Sequence, residues 1–211
     1  INWTARSIVG DNDNWNDVTY GNGMFVAIGG GTGDYIATSP DGINWTSRTL
    51  AGSNGYEDIT YGNGMFVAVG TGPFQHIMTS PDGINWTASF APGNNDGWTS
   101  VTYGNGRFVA VSYTGDRVMY SSDGTSWATT TAAGDNDQWY SVTYGNGQYV
   151  AVGDLGDDRI MTSPDGITWT GRSALANDET WAGVTYGNGM FVAVSSTGTG
   201  NCVMTSPDGI T

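Results

Sequence analysis

A five-residue string, Thr-Tyr-Gly-Asn-Gly, recurs with its tyrosine at Tyr20, Tyr61, Tyr103, Tyr144 and Tyr186, giving spacings of 41, 42, 41 and 42. Nothing else in the chain constrains its fold as strongly. A fixed period of this length means one supersecondary unit used repeatedly, each burying its apolar face against its neighbours. No linker or shift in composition interrupts the series. The expectation is one domain over residues 1–211, built from five units of about 42 residues.

Each unit holds four strand-like pieces. In the first, Trp15–Tyr20 is rich in β-formers, and Asn22-Gly23 marks a hairpin turn whose two central residues both need positive φ. Met24–Gly29 is apolar on both faces, as a strand packed above and below should be. Tyr35–Ser39 is the third run. Pro40, Asp41 and Gly42 then turn the chain, and Asn44–Thr49 is a fourth, more polar run suited to an outer edge. No stretch keeps a 3.6-residue period long enough for a helix. Repeated four-stranded antiparallel units predict an all-β, five-bladed β-propeller.

The chain opens with Ile-Asn-Trp-Thr and ends on Thr-Ser-Pro-Asp-Gly-Ile-Thr, two halves of one motif. The N-terminal strand, Asn2–Ser7, is therefore expected to complete the last blade, whose other three strands lie in Trp181–Ser206. That would close the ring and hide its edges.

The turn Ser-Pro-Asp-Gly-Ile-Asn-Trp resembles the Asp-box of bacterial-neuraminidase-type repeats, S-x-D-x-G-x-x-W. Ser39, Asp41 and Trp45 keep the Ser, Asp and Trp, while the glycine follows Asp directly and shortens the box by one residue. The resemblance covers the third and fourth strands of every unit, the last copy being split between Ser206, Asp208 and Trp3. It implies a folding element: Ser and Asp bond the turn backbone and the Trp packs inward. Trp3, Trp45, Trp86, Trp127 and Trp169 are accordingly expected in the core.

The net charge of -14 repels nucleic-acid phosphates and anionic headgroups, so neither a nucleic acid nor membrane insertion is expected. No apolar run approaches the ~20 residues of a membrane span. Cys202 is the single cysteine and His76 the single histidine, which excludes a zinc site on ligand count. The Asp/Asn loops lack the regular spacing of a calcium loop. No metal or cofactor is expected, and the compartment is left open, a secreted setting being compatible. Sialidases, which share the Asp-box pattern, need three convergent arginines. Arg117 and Arg159 fall at equivalent positions, but Arg6, Arg48 and Arg172 lie on outer strands and Arg107 follows a hairpin. The expectation is a monomer without enzymatic activity.

One segment per unit combines Asn or Asp with an aromatic ring: Asp11, Asp13 and Trp15; Asn54 and Tyr56; Asn94, Asp96 and Trp98; Asp135, Asp137 and Trp139; Asn177, Asp178 and Trp181. Carboxylates and amides can bond sugar hydroxyls, and an aromatic face can stack on a pyranose. In architecture this is similar to five-bladed tachylectin-type lectins, which implies one shallow glycan site per blade. The competing expectation is a structural or display scaffold, amplified or designed, with no small ligand. The same Asn, Asp and Gly are ordinary turn residues, and a Trp opening an inner strand packs between blades.

Overall fold

The computed structural model describes residues 2–6, 14–30, 36–49, 55–71, 77–92, 97–114, 117–134, 138–154, 158–173, 180–198 and 202–211. These form five antiparallel sheets. Blade 1 is β1 (Asn14–Gly21), β2 (Met24–Gly30), β3 (Ile36–Ser39) and β4 (Thr46–Arg48). Blade 2 is β5 (Tyr56–Gly62), β6 (Met65–Gly70), β7 (Ile77–Ser80) and β8 (Thr87–Ser89). Blade 3 is β9 (Trp98–Gly104), β10 (Arg107–Ser112), β11 (Arg117–Ser121) and β12 (Ala128–Thr131). Blade 4 is β13 (Gln138–Gly145), β14 (Gln148–Asp154), β15 (Ile160–Ser163) and β16 (Thr170–Arg172). Blade 5 has three strands, β17 (Trp181–Gly187), β18 (Met190–Ser195) and β19 (Val203–Ser206).

The hairpins follow from backbone chemistry. Asn22 and Gly23 have φ of 48° and 75°, and the same pair recurs at each of the other four hairpins. That is the left-handed geometry whose twist matches the flanking strands. The second strands of blades 1 to 4 are buried on both faces, Phe66–Val69 being fully inaccessible, whereas in blade 5 Met190 and Val194 are exposed. The Ser-Pro-Asp-Gly turns are held by their own side chains. Ser39 Oγ accepts the Gly42 amide at 2.8 Å, and Asp41 Oδ1 accepts the amides of Ile43 and Asn44 at 2.8 Å each. These bonds to the charged form hold the Asp41 carboxyl well below the usual carboxylate range.

Successive blades pack inner strand on inner strand, β1 on β5, β5 on β9, β9 on β13 and β13 on β17. Three devices recur at these junctions. First, the Tyr61 ring lies so close over Gly21 that a Cβ there would fall 2.0 Å from it; Tyr103, Tyr144 and Tyr186 cover Gly62, Gly104 and Gly145 in the same way. Second, a side chain three residues before each tyrosine accepts an amide of the next blade: Asp17 from Ile59, Asp58 from Val101, Ser100 from Val142 and Ser141 from Val184, at 2.8–3.2 Å. Third, Trp86, Trp127 and Trp169, each just before an outer strand, are half-buried against the clusters between blades 1 and 2, 2 and 3, and 3 and 4.

Two sequence expectations change here. Ring closure by the N-terminal strand is not seen: residues 2–6 join no strand, Trp3 is 98% exposed, and among the described residues no contact comparable to those above joins β17 to β1. Trp3 is therefore not a core residue. Without that contact, Gly187 has nothing over it within 4 Å, and Tyr20, which stands in the covering position, is exposed. Among the described residues the junction between blades 4 and 5 also lacks a counterpart of Trp127, and a cavity of about 90 Å³ lies there against Val150, Phe191, Met204 and Gly209.

Candidate functional site: the axial cleft

Of the residues singled out as glycan ligands, the five aromatic ones lie within the described residues. Tyr56, Trp98 and Trp139 are fully buried and Trp181 is 2% exposed, each lying in the core between blades, while Trp15 is half-buried. The indole N–H groups of Trp98, Trp139 and Trp181 find no acceptor among the described residues. Burial is the physical reason these rings offer no face to a pyranose. Asp11, Asp13, Asn54, Asn94, Asp96, Asp135, Asp137, Asn177 and Asp178 lie outside the described residues. Among the described residues no cluster of His, Cys, Asp or Glu could hold a metal ion, and no helix is long and apolar enough to cross a membrane.

The structure instead singles out the residue after each aromatic. In all five blades the first strand carries a β-bulge there: pairing steps from Trp15 to Asp17, Tyr56 to Asp58, Trp139 to Ser141 and Trp181 to Gly183, and Ser112 pairs with Trp98 while Val111 pairs with Ser100. The residues skipped are Asn16, Glu57, Thr99, Tyr140 and Ala182. A bulge leaves one residue unpaired and re-aims its side chain. Four of the five, Glu57, Thr99, Tyr140 and Ala182, line a single cleft of about 410 Å³ together with Thr180 and Ser196. Only the axial side of the array brings the inner strands of four blades to one place. Asn16 joins the series through Nδ2, which donates to Glu57 Oε2 at 3.3 Å and to the Tyr56 carbonyl at 2.8 Å.

The walls are tightly bonded. Thr99 Oγ1 donates to the Trp139 carbonyl at 2.7 Å, and Tyr140 donates its hydroxyl to Gln138 Oε1 at 2.9 Å. Thr71 Oγ1 donates to Glu57 Oε1 at 3.2 Å. Burial, reinforced by the Asp154 carboxylate, pushes the Tyr140 phenol above its ordinary pKa, so it stays a neutral donor. Beside the cleft, burial and the neighbouring Asp17 push the Asp58 carboxyl up to about 7. Sequence reasoning passed over the axial residues because the aromatics beside them were more conspicuous. The available signal was that this is the one first-strand position where five units carry five different residues.

No protein-family model matches this chain, and no curated protein matches it by sequence. Its fold is shared with solved β-propellers. A catalytically inactive virginiamycin B lyase from Staphylococcus aureus, solved with quinupristin, is 14% identical with a TM-score of 0.79, over 90% of this chain and 65% of that one. YCF48 bound to D1 peptide is 18% identical with a TM-score of 0.69, over 98% and 68%. The computationally designed Ika8 protein is 10% identical with a TM-score of 0.64, over 90% and 58%. The chain thus spans roughly two thirds or less of each of these structures. These likenesses establish a β-propeller-type array of antiparallel blades. They also correct the expectation of a chain without enzymatic activity: similar structures include streptogramin B lyases at 11–14% identity, so this architecture is one that catalysis uses. Kinship with Asp-box proteins or with tachylectins is not among the findings.

Proposed function

We propose that the chain is a recognition module that seats a segment of a polypeptide partner in the axial cleft. The observation that carries this reading is the set of five bulges at one strand position, where five non-identical residues stand and four of them line one cleft. A repeat that served packing alone would gain nothing from breaking its ladder at the same place in every blade. The cleft's ~410 Å³ falls in the range that accommodates a few side chains or a small ligand. One similar structure holds a peptide and another holds quinupristin, and ligand binding is a step common to a reader and a lyase. The aromatics first read as glycan platforms, Tyr56, Trp98, Trp139 and Trp181, are buried. A ligand-free scaffold is favoured by the junctions and turns, whose repeated residues serve packing and backbone geometry.

The test is a displayed peptide library panned on the 211-residue protein and counter-screened on Ala182→Phe, which fills the cleft from blade 5. Recovered peptides should lose at least tenfold in affinity for the variant while its melting curve matches the parent's. Recovery of no peptide, or of peptides that bind both proteins equally, would overturn the reading in favour of the scaffold.

A further inference from the structure

The hydrogen-bond directions in the cleft define the chemistry of what enters it. The hydroxyls on its wall each have a protein acceptor within reach, at short distance for Thr99 and Tyr140. Thr99 donates to the Trp139 carbonyl at 2.7 Å, Tyr140 to Gln138 Oε1 at 2.9 Å, Thr180 Oγ1 to Asp154 Oδ2 at 3.5 Å, and Ser196 Oγ to the Thr180 carbonyl at 3.5 Å. A hydroxyl has one proton and two lone pairs, so Thr99 and Tyr140, whose bonds are short, present lone pairs to a newcomer. Glu57 is the one carboxylate among the described residues of the lining. Its two oxygens each accept one neutral donor, Thr71 at 3.2 Å and Asn16 at 3.3 Å, which leaves accepting capacity on both. Arg48, Arg107 and Arg172 are engaged elsewhere, donating to Thr38, the Asp165 carbonyl and Thr162.

We infer that the cleft takes the cationic, donor-only head group of a partner's arginine or lysine side chain. This rests on the proposed reading of the cleft as a polypeptide site, and it names the residue class that enters. An anionic or acceptor-only group would meet the lone pairs of Thr99 and Tyr140 and the Glu57 side chain, and much of its desolvation would go uncompensated. A guanidinium or ammonium carries several N–H donors and no acceptor, which is the complement of the wall. The field of a chain with net charge -14 draws the same ligands toward it and disfavours their opposites.

The experiment follows backbone amide resonances of the 211-residue protein on titration with three capped tripeptides, Gly-Arg-Gly, Gly-citrulline-Gly and Gly-Glu-Gly. Citrulline keeps the shape of arginine and loses its charge. The arginine peptide should shift the amides of Thr99, Tyr140 and Thr180, bind at least fivefold more tightly than the citrulline peptide, and weaken with added salt. The glutamate peptide should not bind. Glu57→Gln, which keeps the side-chain shape, should lower affinity for the arginine peptide severalfold and leave citrulline binding unchanged. Ala182→Lys, which supplies a cation from within, should compete with the arginine peptide. Equal binding of all three peptides at these amides would overturn the charge inference and leave the polypeptide reading standing. Absence of any shift at these amides, with all three peptides up to their solubility limit, would overturn both.

Discussion

The junctions between blades and the axial bulges lie a few residues apart on the same strands, yet they obey opposite rules. At the junctions each unit repeats its neighbour: Gly62 lies under Tyr103 as Gly21 lies under Tyr61, with a Cβ at either glycine falling 2.0 Å from ring carbon. At the axis Asn16, Glu57, Thr99, Tyr140 and Ala182 share a backbone position and nothing else. The junction is solid on both sides, so any added atom must displace a ring. The bulge opens onto a cleft, so its residue is free to differ. Repetition here goes with packing, and variation with the cleft proposed for a partner. The junction between blades 4 and 5 differs: among the described residues no counterpart of Trp127 packs against its cluster, and a cavity of about 90 Å³ lies beside Phe191.

The largest effect is expected at a filled junction. Trp127→Ala should leave between blades 2 and 3 a void like that beside Phe191, and large-to-small core changes of this kind cost about 3–5 kcal/mol, the lower end applying to a half-buried ring. Chemical unfolding would show it as a fall in midpoint, and an unchanged midpoint would mean that the tryptophan slot contributes little. A smaller loss is expected at the hairpin. Gly64 has φ of 77°, and a Cβ added there would meet nothing within 4 Å, so Gly64→Val tests backbone strain without a clash. The cost should be about 1–3 kcal/mol, read as a lower melting temperature.

The smallest effect concerns pH and the rung between blades 2 and 3. Asp58 accepts the Val101 amide at 2.8 Å, and its folded pKa is raised from 3.8 to about 7. A raised acid favours the protonated folded state, so its contribution is fully present below pH 3.8 and is lost as pH rises toward 7. The turn aspartates act in the opposite sense. Asp208, held by the Thr211 and Ile210 amides at a pKa of about 2, contributes above its unfolded pKa and loses that contribution as pH falls through about 2. Asp58→Asn should remove the loss on the upper side, raising stability at pH 8 by on the order of 1 kcal/mol, or ~2–4 °C, and changing little at pH 4. Parallel stability-against-pH curves for variant and parent would refute the assignment.

Much of the repeated part was legible in advance. Asn-Gly pairs predicted positive φ at Asn22 and Gly23 because few other residues adopt it, and the all-apolar Met24–Gly29 run predicted a strand buried on both faces. The fourth strand proved shorter than read, Thr46–Arg48 against Asn44–Thr49, because Asp41 holds the amides of Ile43 and Asn44 in the turn. The proposed axial site lies one residue beyond the aromatics that the sequence made conspicuous. Composition shows an aromatic beside Asn and Asp, but only the bulge decides that Trp98 turns inward and Thr99 faces the axis. Closure of the ring was equally hidden: matching half-motifs say that two edges could pair, whereas the curvature of the array is set by packing at every junction.

Thermal melts of Gly62→Ala and Glu57→Gln, run side by side, test most directly whether repetition is packing and variation is surface. Gly62→Ala drives a methyl into the Tyr103 ring, and overpacking of this kind costs about 1–3 kcal/mol, or roughly 2–12 °C in a chain of this size. Glu57→Gln changes an axial residue without changing its shape and should melt within ~1 °C of the parent. The account predicts that wide separation. A Gly62→Ala protein that melts like the parent, or a Glu57→Gln protein that falls as far, would contradict it.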